Sequence, residues 1–289
     1  MQRSESLAVQ APATTVRTVR RIRPSRRFAP LDLRELWAYR SLLYLFLWRD
    51  VKTRYRQTLL SGFWAIFRPL STMVLFAAVF GGLAKIKSGS SVPYPLFVYS
   101  GILAWTYFSS AMTNGCSSLL ANAGLITKAY FPRLYAPLAT VSTPLTDLGL
   151  ALVVLFGLFG WYGRAPSWHI VFLPTFVLLA LLLGLGIALW LSGATVRYRD
   201  VVFGVPFIAQ IWMYATPVIY PATLVPHKYR WLLLLNPMTA VAEGFRWSLF
   251  GTPFFSLWVL ATSAAIMAAL VTSGILVFRR SERTIADLI

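Results

Sequence analysis

The sequence predicts an all-α integral membrane protein: six transmembrane helices, an N-terminal amphipathic interface helix, and an outer re-entrant helical hairpin between spans five and six. Three features carry that expectation. The chain is 57% hydrophobic and only 12% charged, with a mean hydropathy of +0.65. Soluble domains carry about 25% charged residues, so the solvent for this much apolar surface is lipid. Apolar runs of about 20 residues, enough to cross a hydrocarbon core, recur six times. Finally, 27 Lys and Arg against nine Asp and Glu give a net charge of +18. These basic residues sit between the apolar runs and not on one soluble module. That placement argues against nucleic acid, the other reading of a basic excess, and points to membrane lipid as the surrounding partner.

Residues 1–30 are polar, Pro-containing and basic, which predicts a disordered cytoplasmic tail. The Arg pairs at 20–21 and 26–27 lead into no apolar core, so neither a signal peptide nor a twin-arginine signal is expected. Asp32 with Glu35 resembles a helix start. Leu33, Leu36, Trp37, Leu43, Tyr44 and Leu47 then recur at helical spacing. The pattern predicts an amphipathic helix over 31–48 lying in the interface, followed by a transmembrane domain over 49–289.

The candidate spans are 62–84, 96–121, 138–162, 170–193, 201–221 and 254–278. The second and fifth carry enough polar or Pro residues to need partial shielding from lipid. Twenty-one of the 27 basic residues fall in the N-terminal segment through Arg68, the loops at 122–136 and 194–200, and the C-terminal tail. Lys and Arg are retained on the cytoplasmic side, so both termini are expected there. Residues 222–253 are too long for a turn and too apolar for a soluble loop. Two short apolar pieces flank Asn236-Pro237, and neither can span. A hairpin packed within protein at the outer face fits, because broken backbone at membrane depth must be covered by protein or line a wet cavity.

Catalytic patterns are absent from the sequence. No GxxxxGK[ST] loop is present to cradle ATP phosphates, and HExxH and GxSxG are also missing. Cys116 is the sole cysteine. His169 and His227 lack a ligand cluster. No catalytic, cofactor or metal residue is therefore expected in this chain.

Two helical faces mix aromatic and polar residues. Phe203, Phe207, Gln210 and Tyr214 share one on the fifth span, and Trp64, Arg68, Thr72 and Leu75 share one on the first. Stripes of this kind do not suit lipid. They suit a sugar, whose C–H faces stack on rings while its hydroxyls need hydrogen bonds; aromatic packing between helices is the alternative. Asp147 falls inside the third span near Thr143 and Thr146. A buried ionisable group is a functional suspect, with a structural hydrogen bond or ion pair as the plain alternative. Glu243 and Arg246 stand three apart in the hairpin and can pair with each other.

The stretch RDVKTRYRQTLLSGFWAIFRPL at 49–70 resembles the first-span signature of the ABC-2 permeases that export polysaccharides. Arg49, Asp50, Lys52, Arg54, Tyr55, Arg56, Gln57, Thr58, Leu60, Trp64, Ala65 and Pro69 match; Ser61 stands where the family usually has Gly. PYPLFVYSGILAWTYFSSAM resembles the second span, LITKAYFPRLYAPLA a cytoplasmic loop, VRYRDV a later one, and NPMTAVAEGFRW the outer motif. The resemblance covers residues 49–247 in order. It implies a half-transporter in a bacterial inner membrane. Two copies would work with two separate nucleotide-binding ATPase subunits that supply the ATP and Mg sites, and the substrate would be a polyprenyl-linked glycan. Leu36, Trp37, Arg54, Lys128, Tyr130 and Arg133 would contact the ATPase. Trp64, Arg68, Thr72, Phe203, Phe207, Gln210 and Tyr214 would line a glycan channel, and Asn236, Pro237, Glu243 and Arg246 an outer gate. The alternative is an ABC-2 permease for a drug or small lipid. A membrane-embedded glycosyltransferase or acyltransferase fits less well, because paired-carboxylate and His-centred motifs are missing.

Overall fold

The computed structural model describes residues 37–56, 61–86, 88–89, 91–126, 131–253 and 256–288. Within them the regular structure is helical throughout. The tail over 1–30 and the first part of the expected interface helix lie outside the described residues.

α1 (Arg40–Arg56) is followed by α2 (Ser61–Phe76), which contains Pro69 and widens into a π-helical stretch over Ala77–Leu83. α3 (Tyr94–Cys116) comes next, then two single turns, α4 (Ser118–Ala121) and α5 (Ala123–Ile126). α6 (Tyr135–Ser142) and α7 (Leu145–Trp161) meet at Thr143-Pro144. α8 (Leu173–Arg197) turns directly into α9 (Val201–Ala215). α10 (Arg230–Leu235), α11 (Pro237–Phe250) and the long α12 (Leu257–Leu288) complete the chain.

Four helical stretches are long and apolar enough to cross a membrane: Gly62–Leu83, Tyr135–Trp161, Trp168–Arg197 and Leu257–Ser281. They coincide with four of the six expected spans. The other two differ for separate reasons. α3 has the length, but Ser100, Thr106, Ser109, Ser110, Thr113 and Asn114 dilute its apolar character. Sixteen of its 23 residues are buried, so protein and not lipid surrounds it. It runs through the middle of the bundle, touching α2, α6, α7, α8, α9 and α11. α9 is apolar but stops at Ala215, short of the expected 221. The residue before a proline is pushed to extended geometry, and Thr216 before Pro217 adopts φ −101°, ψ 141°. Fifteen residues at 1.5 Å each reach about 22 Å.

The most extensive packing joins α8 to α12, with α3 against the other side of α8. Here the backbones approach closely. A Cβ on Gly274 would stand 2.8 Å from the Gly186 carbonyl oxygen, and one on Gly186 would stand 3.1 Å from the Leu270 carbonyl carbon. Trp190 Nε1 donates to Ser273 Oγ across the same pair at 3.0 Å. Membrane helices use small residues in this way to gain dispersion contact. Gly193 of α8 adds a second close approach, 2.6 Å from Ser281 Oγ for a Cβ placed there, without a GxxxG pair.

α1 extends eight residues past its expected end at 48, through the basic cluster to Arg56. Arg and Lys are good helix formers, and their charges meet partners described below. Its apolar residues fall on two faces. Phe46 is buried against Phe131 and Tyr135, with Tyr39, Leu42, Leu43 and Leu47 around it. Trp37, Tyr44 and Trp48 are exposed on the other.

Candidate functional site

The candidate side chains fall into three groups, at the α1 end, along the exposed flanks of α2 and α9, and at the opposite end around α11. At the α1 end, Asp147 sits in the first turn of α7, where a carboxylate is favoured by the helix dipole. Arg54 forms an ion pair with Asp147 Oδ2. Tyr55 Oη donates to Asp147 Oδ1 at 2.5 Å and lies 3.5 Å from Thr146 Oγ1. One carboxylate thus holds two consecutive residues of the first-span signature. Burial first, and then the hydrogen bond to Asp147, push the Tyr55 phenol above its ordinary value, so it keeps its proton. One and a half turns earlier, Arg49 Nη2 donates to Asn122 Oδ1 at 2.6 Å and to Asp50 Oδ1 at 2.7 Å. Trp37 is exposed near the start of this region and Arg133 is half-buried at the turn before α6. Leu36, Lys128 and Tyr130 lie outside the described residues.

The seven residues expected on the channel faces stay open in the single chain. Phe203, Phe207 and Tyr214 are 79%, 64% and 52% exposed; Gln210, Trp64 and Arg68 are exposed and Thr72 half-buried. Thr72 Oγ1 donates to the Arg68 carbonyl at 2.8 Å. Within α9 only Val205 and Ala209 are buried. On α2 the expected stripe widens into a ring cluster: Phe63 stacks on Phe67 at 5.1 Å, and Trp64 meets Phe67 edge-on at 5.6 Å. α2 and α9 each rest on α3 and make no extensive contact with each other. Trp212 is the aromatic of α9 that faces inward, meeting Phe108 at 5.2 Å and Trp105 at 6.3 Å.

At the opposite end, α11 is buried along most of its length. Asn236 caps it, its Oδ1 accepting from Met238 N at 3.1 Å and from Trp212 Nε1 at 3.0 Å. Its Nδ2 donates to Thr216 Oγ1 at 2.9 Å. Pro237 occupies the first helical position, where its missing N–H costs nothing. An open cavity of about 410 Å³ lies beside this cap, lined by Trp212, Tyr220, Tyr229, Leu232 and Asn236 among others. Arg246, 2% exposed, pairs with Glu243 at 2.8 Å. It also donates to the Pro217 and Val218 carbonyls at 2.7 and 2.6 Å. Gly101 makes room for this: a Cβ there would lie 2.6 Å from the Val218 oxygen and 2.9 Å from Arg246 Nη2.

Sequence reasoning missed Asn122, Trp212 and Gly101 as participants. Trp212 carries a signal, being an indole N–H in an apolar helix that needs a partner. The others become visible only once the helices are assembled. Among the described residues no group of three His, Cys, Asp or Glu could hold a metal ion. The arrangement offers stacking faces, hydrogen-bond partners and a cross-braced bundle.

A model of the ABC-2 type transporter family matches residues 41–250. The O-antigen export system permease protein RfbA of Myxococcus xanthus is 32% identical over 217 residues, covering 74% of this chain and 82% of that protein. Its Klebsiella pneumoniae namesake is 28% identical over 204 residues, 68% of this chain and 76% of that protein. The polysialic acid transport protein KpsM of Escherichia coli is 23% identical over 205 residues, with the same coverages. The matched region takes in the Arg54–Asp147 pair, both open helical flanks and the whole of α11. The chain belongs to the ABC-2 type transporter family, as a multi-pass integral membrane transport subunit.

Proposed function

We propose that this chain is the transmembrane subunit of an ABC exporter that carries a lipid-linked polysaccharide, O-antigen-like or a related envelope glycan, across a bacterial cytoplasmic membrane. The observation that carries this reading is the pair of open flanks on α2 and α9. Rings at Trp64, Phe203, Phe207 and Tyr214 alternate there with Arg68, Thr72 and Gln210. A sugar polymer needs both ring faces and hydrogen-bond partners, whereas lipid needs only the first. The O-antigen and polysialic acid transport proteins that it resembles point the same way. Two copies, facing each other across these flanks, would form the conduit.

Two separate ATPase subunits would bind ATP and Mg and dock at the α1 end, beside α1 and the turn carrying Arg133. In this reading α3 and α9 complete six spans. The basic residues of 49–56, 197–199 and 279–283 face the cytoplasm, and α10 and α11 form a re-entrant hairpin at the outer mouth. Burial of α11 in protein supports that placement, since backbone breaks at membrane depth need cover.

The test is deletion of the coding region in its host, followed by complementation. The expected outcome is loss of a surface polysaccharide, accumulation of its lipid-linked form inside, and restoration by the wild-type chain. Unchanged surface glycan, with altered tolerance to small amphiphiles instead, would replace this reading with export of a drug or small lipid.

A further inference from the structure

α1 lies across a break in the neighbouring helix. On one side of Thr143-Pro144 it grips α6 and the segment before it through apolar contact: Phe46 meets Phe131 at 5.1 Å, and Tyr135 and Ala139 are buried in the same cluster. On the other side it grips α7 through charge and hydrogen bonding, with Arg54 and Tyr55 on Asp147. Pro144 removes a backbone donor at the junction and weakens the helix there. The spacing of the two grips along α1, Phe46 to Tyr55, is nine residues or about 14 Å. α1 therefore lies across this junction like a splint. Its packing on α6 is far more extensive than its packing on α2, the helix it leads into along the chain.

Behind the hinge lies a small cavity of about 20 Å³. It is lined by Pro69 of α2, by Thr106, Tyr107 and Ser110 of α3, and by Pro144, Asp147 and Ala151. Well-packed interiors leave few gaps of this size, and this one borders the start of α7 where it faces α2 and α3. The gap, the hinge and the Asp147 clasp adjoin one another.

We infer that Arg54, Tyr55 and Asp147 are positioning residues that hand a displacement of α1 to α7 across the Pro144 hinge, so that the pull of the ATPase subunits reaches the bundle through α7 as well as through the covalent link to α2. This inference rests on the proposed docking of an ATPase at α1. It gives a role to two signature residues, Arg54 and Tyr55, whose charge and position otherwise read only as a membrane-side anchor. The clasp suits the task. A carboxylate shared by two donors on one rigid helix fixes both distance and angle, whereas a lone ion pair would fix only distance. The charge-assisted bonds are strong, yet the pair is only half-buried, so it can be remade after strain.

The test uses the complete complex, this chain with its ATPase subunits in lipid vesicles, in a Cys116→Ser background. Thr106 is exposed beside the cavity, and a Thr106→Cys thiol reports movement there without any transported substrate. The labelling rate of that thiol is expected to change several-fold on adding Mg-ATP. Asp147→Asn should abolish the change while the complex still assembles and hydrolyses ATP. The exchange Arg54→Asp with Asp147→Arg should restore at least half of it. Tyr55→Phe, the mildest variant, should reduce it in part. A full nucleotide response in Asp147→Asn overturns the inference. So does loss of assembly that the charge exchange fails to repair, because the clasp would then serve folding alone. Since no transported substrate is involved, failure here is distinct from failure of the glycan reading, which is judged by surface polysaccharide in cells.

Discussion

The guanidinium of Arg246 lies 3.7 Å from the centre of the Phe97 ring. A cation on α11 is thereby stacked on α3 while it hydrogen-bonds the two carbonyls that follow α9. Three segments distant in sequence meet on one side chain. Removing one partner of a buried pair costs about 3–5 kcal/mol, because the other charge is left uncompensated. Glu243→Gln is therefore expected to lower the melting temperature of the detergent-solubilised protein by about 10 °C, taking 2–4 °C per kcal/mol for a chain of this size. Arg246→Lys should not recover wild-type stability, since an ammonium cannot reach both carbonyls and stack as a planar fork does. A Glu243→Gln melting curve that overlays the wild type would show that the carbonyls alone hold the guanidinium.

Rings on the open flank of α9 differ from those packed between α9 and α3, and truncation separates them. Phe207 and Tyr214 are exposed on the open flank, whereas Phe108 of α3, beside Trp212, is fully buried. Phe207→Ala and Tyr214→Ala are expected to lower polysaccharide export in part, by about the 1 kcal/mol of a lost ring contact each, with abundance unchanged and the double variant worse. Phe108→Ala should instead act through stability, at the 3–5 kcal/mol typical of a buried Phe, about. Export, abundance and melting temperature measured together decide the matter. A parallel fall of all three in Phe207→Ala would make that ring a packing residue.

Sidedness is open to a direct check in the Cys116→Ser background. Ser91 is exposed in the loop before α3, and Tyr198 is exposed in the turn between α8 and α9. A Ser91→Cys thiol should react with an impermeant maleimide added to intact cells. A Tyr198→Cys thiol should react only after the membrane is opened. The reverse pattern would invert the proposed topology.

The Tyr55 phenol gives a pH signature. Its value in the fold is raised above 10 by burial and by the bond to Asp147. A raised value means that the protonated form favours the fold. That contribution is complete below about pH 10 and is lost as pH climbs through the higher folded value. A hydrogen bond to a charged group is worth about 1.5–3 kcal/mol. The difference in melting temperature between wild type and Tyr55→Phe should accordingly be constant between about pH 6 and 9 and should shrink above about pH 10. A difference that varies across neutral pH would point to another titrating group.

Elements that depend on local chemistry were legible in the sequence. The spans that became α2, α7, α8 and α12 announce themselves by apolar length, and the polar residues of α3 announce that it needs cover. The end of α9 was also there to read, in Pro217, but apolar content carried the expected span past it. The partnerships were less visible. Tyr55 and Asp147 stand 92 residues apart, and nothing in a basic cluster marks one of its members for a half-buried carboxylate. Arg54 reads equally well as a membrane-side anchor until α7 is placed beside it. Trp212 and Asn236 are separated by 24 residues and a turn, and only the fold matched them. Glu243 and Arg246, three apart on one helix, are the pair that spacing alone could propose.

The position of α3 bears on how the chain is made. Ribosomes deliver the N-terminus first, and α3 emerges long before α8, α9 and α11, the helices that go on to enclose it. Its serines, threonines and Asn114 thus meet the insertion machinery with most of their eventual surroundings still unsynthesised. A segment in that state is held poorly by lipid alone. Its residence in the bilayer is coupled to the arrival of α8, whose Ala188 packs where Gly115 leaves space. Nascent chains arrested before residue 197 should therefore leave α3 more open to proteases and quality-control factors than chains arrested after residue 250. A destabilising change in α8 or α11 would then appear first as a defect in biogenesis, before any defect in transport.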